Sequence, residues 1–193
     1  MSSPNKTTDE TSSPAIEAKP RDQRGLMLVI AAAVIILDRI TKRIVVHQLP
    51  NGQAHTVIPG IFRITDVHNT GAAFSMFAES TSPATIRNIL IAFSVVAVLV
   101  LGGMLWRVGR AMTVSSVALA LILGGALGNL YDRVRYHYVV DFLEVHIHTY
   151  HWPDFNIADS SIVTGACLLL LDSLLPKKPP APSQPGPSAI RIA

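Results

Sequence analysis

The sequence predicts a mainly α membrane protein, with four transmembrane helices and a small extracytoplasmic β element. Three observations lead there. Of 193 residues, 49% are hydrophobic and only 15% are charged, against roughly 25% charge in a soluble domain. The charge gathers at the ends, with 8 of 29 charged residues in 1–25, while 88–106 and 111–131 carry none. Each gap matches the ~20 apolar residues that a bilayer crossing needs. Finally, the ionisable residues inside apolar stretches fall where successive crossings would bring them to one leaflet.

Residues 1–25 (MSSPNKTTDETSSPAIEAKPRDQRG) are polar and rich in Ser, Thr and Pro, too poor in apolar surface to order. They lack the short apolar core of a signal peptide. The first span, about Leu26–Val46, is apolar through Leu37 and then interrupted by Asp38, Arg39, Lys42 and Arg43. In 47–84, the turn-forming Pro50-Asn51-Gly52 and the alternating Ile61-Phe62-Arg63-Ile64-Thr65 indicate a small strand pair at the membrane surface. The second span is about Thr85–Trp106. The third, about Ala111–Tyr131, contains Gly124 and Gly128, a small-xxx-small pair that lets helices approach closely. Residues 132–156 read as a second outer loop. The fourth span is about Ile157–Leu175, with Asp159 in its first turn, and a Pro-rich tail follows from Pro176.

The expected division is therefore a disordered tail over 1–25, a four-span membrane domain over 26–175 and a second disordered tail over 176–193. Four crossings put both tails on one side. Nine of the 16 Lys and Arg residues lie in the tails and the 107–112 loop, so the positive-inside rule makes that side cytoplasmic. The net charge of +3 is spread between apolar stretches, which argues against nucleic acid as a partner. The single cysteine, Cys167, excludes an intramolecular disulfide framework and a cysteine-rich metal site; it reads as a small buried hydrophobe.

An ionisable group within a span is costly unless paired or hydrated, and marks a functional site by default. Asp38, Asn129, Asp132, Arg133 and Asp159 lie in or at the ends of spans, and Asn69 and Asp141 lie in the outer segments. Odd spans end outside and even spans begin there, so topology gathers all of them at one face. Asp141 and Asp159 carry the most chemistry. Two carboxylates held close share one proton. The ionised one can activate water while the neutral one polarises a carbonyl or protonates a leaving amine. The residues alone leave a carboxylate hydrolase, a structural network and an ion pathway all open.

Five motifs stand in order: Asp38-Arg39-Ile40-Thr41-Lys42, Asn69-Thr70-Gly71-Ala72-Ala73-Phe74, the run Gly124–Arg133 (GGALGNLYDR), Val139-Val140-Asp141-Phe142 and Phe155-Asn156-Ile157-Ala158-Asp159. Together they closely resemble the bacterial lipoprotein signal peptidases (signal peptidase II), over roughly residues 26–175. The resemblance implies a four-helix aspartyl peptidase of the inner (cytoplasmic) membrane. Such an enzyme removes the signal peptide of diacylglyceryl-modified prolipoproteins on the N-terminal side of the lipidated cysteine. It implies Asp141 and Asp159 as the catalytic pair. Asp38, Lys42, Asn69, Gly71, Asn129, Asp132, Arg133 and Asn156 are implied to bind substrate or support the site. Prolipoproteins and membrane lipids are the implied partners, globomycin the implied inhibitor, and no cofactor or metal is expected.

Two positions depart from the family pattern. His137 stands where Gly is common, and His tolerates a positive φ less well. Arg39 stands where Gln is frequent. An adjacent helical residue points about 100° away, so Arg39 is expected to meet lipid headgroups rather than the carboxylates.

Plainer readings accompany these. Asp132–Arg133 could be an interfacial pair, Asp38 and Lys42 an i,i+4 ion pair, and Asn69 and Asn156 turn or cap residues. Asp172, near the cytoplasmic end of the fourth span, is assigned no function. His146, His148 and His151 with Asp154 could ligate zinc. Lys42 with Ser160 or Ser161 could form a Ser–Lys hydrolase. The non-enzyme rival is a small transporter or proton channel with an acidic relay through Asp38, Asp141 and Asp159.

Overall fold

The computed structural model describes residues 21–49, 53–71 and 82–175. Residues 1–20 and 176–193 of the expected tails, and the Pro50-Asn51-Gly52 turn, lie outside the described residues. Among the described residues, four helices and four strands follow in order: α1 (Arg24–Gln48), β1 (Ala54–Ile58), β2 (Phe62–Asn69), α2 (Pro83–Val108), α3 (Val114–Arg135), β3 (Val139–Ile147), β4 (Tyr150–Phe155) and α4 (Ile157–Leu174).

Local chemistry sets the helix starts. Ser82 caps α2 by accepting from the Thr85 N–H, with Pro83 at the first helical turn. α3 begins at Val114, three residues later than the apolar run suggested. There Thr113 and Ser116 form a reciprocal capping box, which satisfies two N–H groups that would otherwise lack partners. Asn156 and Asp159 do the same for α4.

Ala84–Val108, Val114–Arg135 and Ile157–Leu174 are long and apolar enough to cross a membrane. α1 is as long as these, but its second half carries the charged residues. The outward faces are apolar: Ile89, Phe93, Val96 and Leu99 on α2, and Leu170, Leu171 and Leu174 on α4, all stand exposed. Such a surface suits hydrocarbon rather than water. Cys167 also stands exposed, on α4, which corrects the expectation that it packs inside. An apolar run does not reveal which of its residues face a neighbouring helix.

α3 is the central helix, packed against α1, α2 and α4. Its glycines permit this. A Cβ on Gly124 would lie 2.7 Å from the Ala31 carbonyl oxygen and 2.9 Å from Val34 Cβ, both on α1. One on Gly128 would lie 3.0 Å from the Asp38 carboxylate. The Gly124–Gly128 pair thus faces α1, as the small-xxx-small spacing predicts. The intervening Gly125 faces α4, where a Cβ would lie 2.3 Å from the Ala158 carbonyl oxygen. Met27, Leu105, Leu119, Ala120 and Leu123 form the buried apolar core.

The strands form one antiparallel sheet in the order β1-β2-β3-β4. The expected strand pair is β1 and β2. Residues 132–156, read as a loop, instead supply the β3–β4 hairpin. Val139 through Phe142 are buried in succession, so both faces of β3 are covered there and the period-2 alternation that betrays a half-buried strand is missing. β2 and β3 pair from Phe62↔Val145 to Asn69↔Val139, with an irregularity between Ile64 and Val67.

α3 leads into β3 through His137, which adopts φ 71. The left-handed conformation is therefore kept although the residue is not glycine. That conformation costs an L-residue roughly 1–2 kcal/mol, and a glycine offsets part of the gain through its greater freedom when unfolded. His137 is exposed and outside the polar network. His137→Gly should raise stability by about 0.5–1 kcal/mol in thermal unfolding and leave cleavage rates unchanged. A loss of stability would contradict the strain.

Candidate active site

The polar network is built where α1, α3, α4 and β3 meet. On α1, Asp38 and Lys42 are one turn apart, and Lys42 Nζ lies 2.8 Å from Asp38 Oδ2. The i,i+4 pairing is therefore present. Lys42 also donates to Asp132 Oδ2 at 2.7 Å and to Asn129 Oδ1 at 3.2 Å. Two hydrogen bonds and a close ion pair thus hold the ammonium. The other Asp38 oxygen accepts the Ala158 N–H at 3.1 Å, joining α1 to the start of α4. Asp38, Lys42 and Asp132 are almost completely buried.

Asn129 relays this cluster to α4. Its amide donates to Asp159 Oδ1 at 2.7 Å, while its oxygen accepts from Lys42 and, at 3.3 Å, from Asn156 Nδ2. Asn156 bridges the two carboxylates singled out in the sequence. Its Nδ2 donates to Asp141 Oδ1 at 2.7 Å, and its Oδ1 accepts the Asp159 N–H at 2.9 Å. In return, Asp159 Oδ2 accepts the Asn156 N–H at 3.2 Å. Asn156 is thus a helix cap, as its plainer reading held, and also the link between Asp141 and Asp159.

Asp141 is held from the far side by Asn69, whose Nδ2 donates to Oδ2 at 2.9 Å. The Asn69 oxygen accepts the Gly71 N–H at 2.8 Å, so the turn-like character of Asn69-Thr70-Gly71 serves to aim the Asn69 amide. Gly71 adopts φ +85, and a Cβ there would meet Leu90 Cδ1 at 2.6 Å; this turn requires glycine. Asp141 is 3% exposed. Burial, reinforced by the charge of nearby Asp159 and opposed by the Asn69 and Asn156 hydrogen bonds, pushes its pKa up to about 6.

Arg133 donates to the Asn129 carbonyl at 3.4 Å, and its charge lies within electrostatic range of Asp159 and Asp141. It does not form the expected pair with Asp132. Asp132 is taken instead by Lys42 and by Arg39, which donates to Asp132 Oδ1. Arg39 therefore turns inward, correcting the expectation that it meets lipid headgroups. The 100° helical offset fixes where Cβ starts but not where a long side chain ends. The guanidinium stacks over Tyr131 at 4.7 Å and Tyr136 at 5.4 Å, two aromatic residues at the end of α3 that could have hinted at it. A cleft of about 710 Å3 opens beside this cluster, lined by Arg39, Lys42, Tyr131, Tyr136 and Val140 among others.

The Ser–Lys reading finds no geometry. The Ser160 and Ser161 hydroxyls donate to the Asn156 and Ile157 carbonyls, and Lys42 is committed elsewhere. Asp172 accepts from Ser115, outside the network that joins the other polar residues.

A helical bundle of membrane character, with buried carboxylates gathered beneath a small sheet, defines the class as a membrane enzyme. A bacterial membrane enzyme solved by the in meso method at 1.9 Å resolution superposes with a TM-score of 0.72 at 30% identity, covering 83% of this chain and 100% of that one. The family described as signal peptidase (SPase) II matches residues 30–175. The lipoprotein signal peptidase of Solibacter usitatus is 43% identical over 157 residues, 81% of this chain and 95% of the relative. That of Paraburkholderia phytofirmans is 46% identical over 147 residues, 76% and 83% respectively. The chain belongs to the signal peptidase II family, and nothing in these comparisons favours a transporter.

Proposed function

We propose that this protein is an intramembrane aspartyl endopeptidase. It removes signal peptides from diacylglyceryl-modified prolipoproteins, cutting N-terminal to the lipidated cysteine. The observation that carries the reading is that Asn156 holds both carboxylates, donating its side-chain amide to Asp141 and its backbone N–H to Asp159. Asp38, Lys42, Asn69, Gly71, Asn129, Asp132, Arg133 and Asn156 position the pair or the substrate. α1 joins the three apolar helices as the first of four crossings, the domain is 26–175 with a tail on either side, and both termini are cytoplasmic in the inner membrane. The sheet then lies outside, where its edge strands can align an extended peptide by strand addition. Membrane lipids surround the bundle, and globomycin inhibits the enzyme.

The chemistry follows from one proton shared by two carboxylates. We take Asp141, whose affinity for a proton burial raises, as the acid of the pair and Asp159 as its base. Asp159 takes a proton from water as the water oxygen bonds to the scissile carbonyl carbon. Asp141 gives its proton to the carbonyl oxygen. Proton return to the amide nitrogen lets the C–N bond break, leaving a free amine on the cysteine and a carboxylate on the signal peptide. The test is cleavage of a diacylglyceryl-modified prolipopeptide by the purified protein. Turnover should proceed within about twofold of its normal rate in EDTA or 1,10-phenanthroline. Failure to cut would sink the reading.

The same burial makes a linkage prediction. A carboxyl whose folded pKa is raised destabilises the fold when ionised. For Asp141 that penalty is absent below its unfolded value near 3.8 and complete above about 6. At 1.36 kcal/mol per unit the full effect is on the order of 3 kcal/mol. The stability of Asp141→Asn relative to the parent should therefore climb between pH 4 and pH 6 and level off above. A difference that is flat with pH would refute the raised affinity.

A further inference from the structure

We propose that Glu144, His146, His151 and Asp154 form a binding site for a divalent transition-metal ion of the zinc class, on the sheet and apart from the catalytic pair. His146 and His151 are directly opposite each other across β3 and β4. Their rings stack with centroids 5.0 Å apart and planes 17° from parallel. This turns both Nε2 atoms toward one carboxylate oxygen, Glu144 Oε1, at 2.8 Å from His146 and 3.5 Å from His151. Asp154 Oδ1 lies 3.6 Å from His151 Nε2. One ligand atom from each of Glu144, His146 and His151 falls within 4.8 Å of the others.

The spacing fits an ion. Tetrahedral zinc with bonds of 2.0–2.1 Å holds its ligand atoms about 3.3–3.4 Å apart. The His151–Glu144 separation is already close to this, and the His146–Glu144 contact must open by about half an ångström; Asp154, 3.6 Å from His151 Nε2, must move in to supply the fourth ligand. The donor set of two imidazoles and carboxylates favours zinc-like ions over calcium or magnesium. A second observation points the same way. Glu144 is 7% exposed, yet its Oε2 and the buried Oδ1 of Asp154 have no hydrogen-bond partner. Buried acceptors without partners are costly, and a cation would satisfy the Asp154 oxygen directly. Arg63 lies 3.4 Å from each Glu144 oxygen and would orient that carboxylate from the other side.

His148, grouped with these residues by sequence alternation, lies in the β3–β4 turn with φ 59, and Glu144 takes its place. By strand alternation Glu144 and His146 fall on the face opposite Asp141, with the pairing to β4 shifted between Leu143 and Val145. They stand about 10 and 16 Å along the strand from it, at roughly 3.3 Å per residue. An ion there would clamp the hairpin whose first strand carries Asp141, without touching the reacting atoms.

The test uses the full chain without a histidine tag, purified in detergent, stripped with chelator and titrated calorimetrically with zinc chloride. One ion per chain should bind at micromolar zinc or below, and cobalt should give the intense visible absorption of a four-coordinate site. Glu144→Gln and His151→Ala should each weaken zinc binding at least tenfold, while His148→Ala leaves it unchanged. His151 is half-exposed, so its truncation tests the site without disturbing the fold; monodisperse elution checks this. No saturable 1:1 binding in the parent, or equal affinity in His151→Ala, overturns the site. Neither readout depends on cleavage.

Discussion

Asp141→Asn and Asp159→Asn should each abolish cleavage of a lipidated prolipopeptide, lowering kcat/KM by about a thousandfold or more. General acid–base assistance is typically worth 10²–10⁴-fold, and here no other group generates the nucleophile. Asn keeps the size of Asp and can accept the same bonds with one oxygen, but it cannot carry the proton. Asp141 sits between two amide donors, Asn69 and Asn156, so an Asn there must meet one donor with another. A folding control is therefore needed, and retained globomycin binding supplies it. The two carboxylates act on one proton, so the double variant should be scarcely slower than either single one. Asp172→Asn, whose carboxylate accepts only from Ser115, should remain near the parent rate. Substantial turnover by either single variant would remove that residue from the chemistry.

What could be read beforehand follows from how strongly hydrocarbon constrains a chain. Polar and charged residues interrupting an apolar run at Asp38, Asn129, Asp132 and Asp159 stand out because each must find a partner, and helix geometry alone pairs Asp38 with Lys42. The order of motifs then identified the same residues that the network joins. Three-body contacts were not legible. Asn129 serves Lys42, Asn156 and Asp159 at once only because α1 and α4 cross α3 at Gly124, Gly125 and Gly128, and crossing geometry is a property of the packed helices. β3 escaped detection for a related reason, since a strand covered on both faces loses its alternation. Arg39 was misplaced because direction at Cβ says little about a guanidinium several bonds away, and the acceptor it reaches, Asp132, comes from another helix.

That misplaced arginine completes a charge balance with the second large expected effect. Lys42 and Arg39 face Asp38 and Asp132 in a site where Lys42 is 1% exposed and both aspartates 0%, two cations against two anions. Lys42→Met preserves most of the stem's packing but leaves Asp38 without its cation and Asp132 with only Arg39. Breaking a buried pair in this way costs about 3–5 kcal/mol, because the surviving charge is stranded. Against a total stability of roughly 5–15 kcal/mol, the drop in unfolding temperature in detergent should be large. Adding Asp38→Asn should restore at least half of it. The Asn oxygen can still accept the Ala158 N–H, and Asp132 with Arg39 remains a balanced pair. Full rescue of catalysis is not expected, since Asn129 still lacks the Lys42 donor that helps aim its amide at Asp159. If Lys42→Met unfolds within about 1 kcal/mol of the parent, or the second change makes matters worse, the aspartates are not held by charge, and the network is polar packing alone.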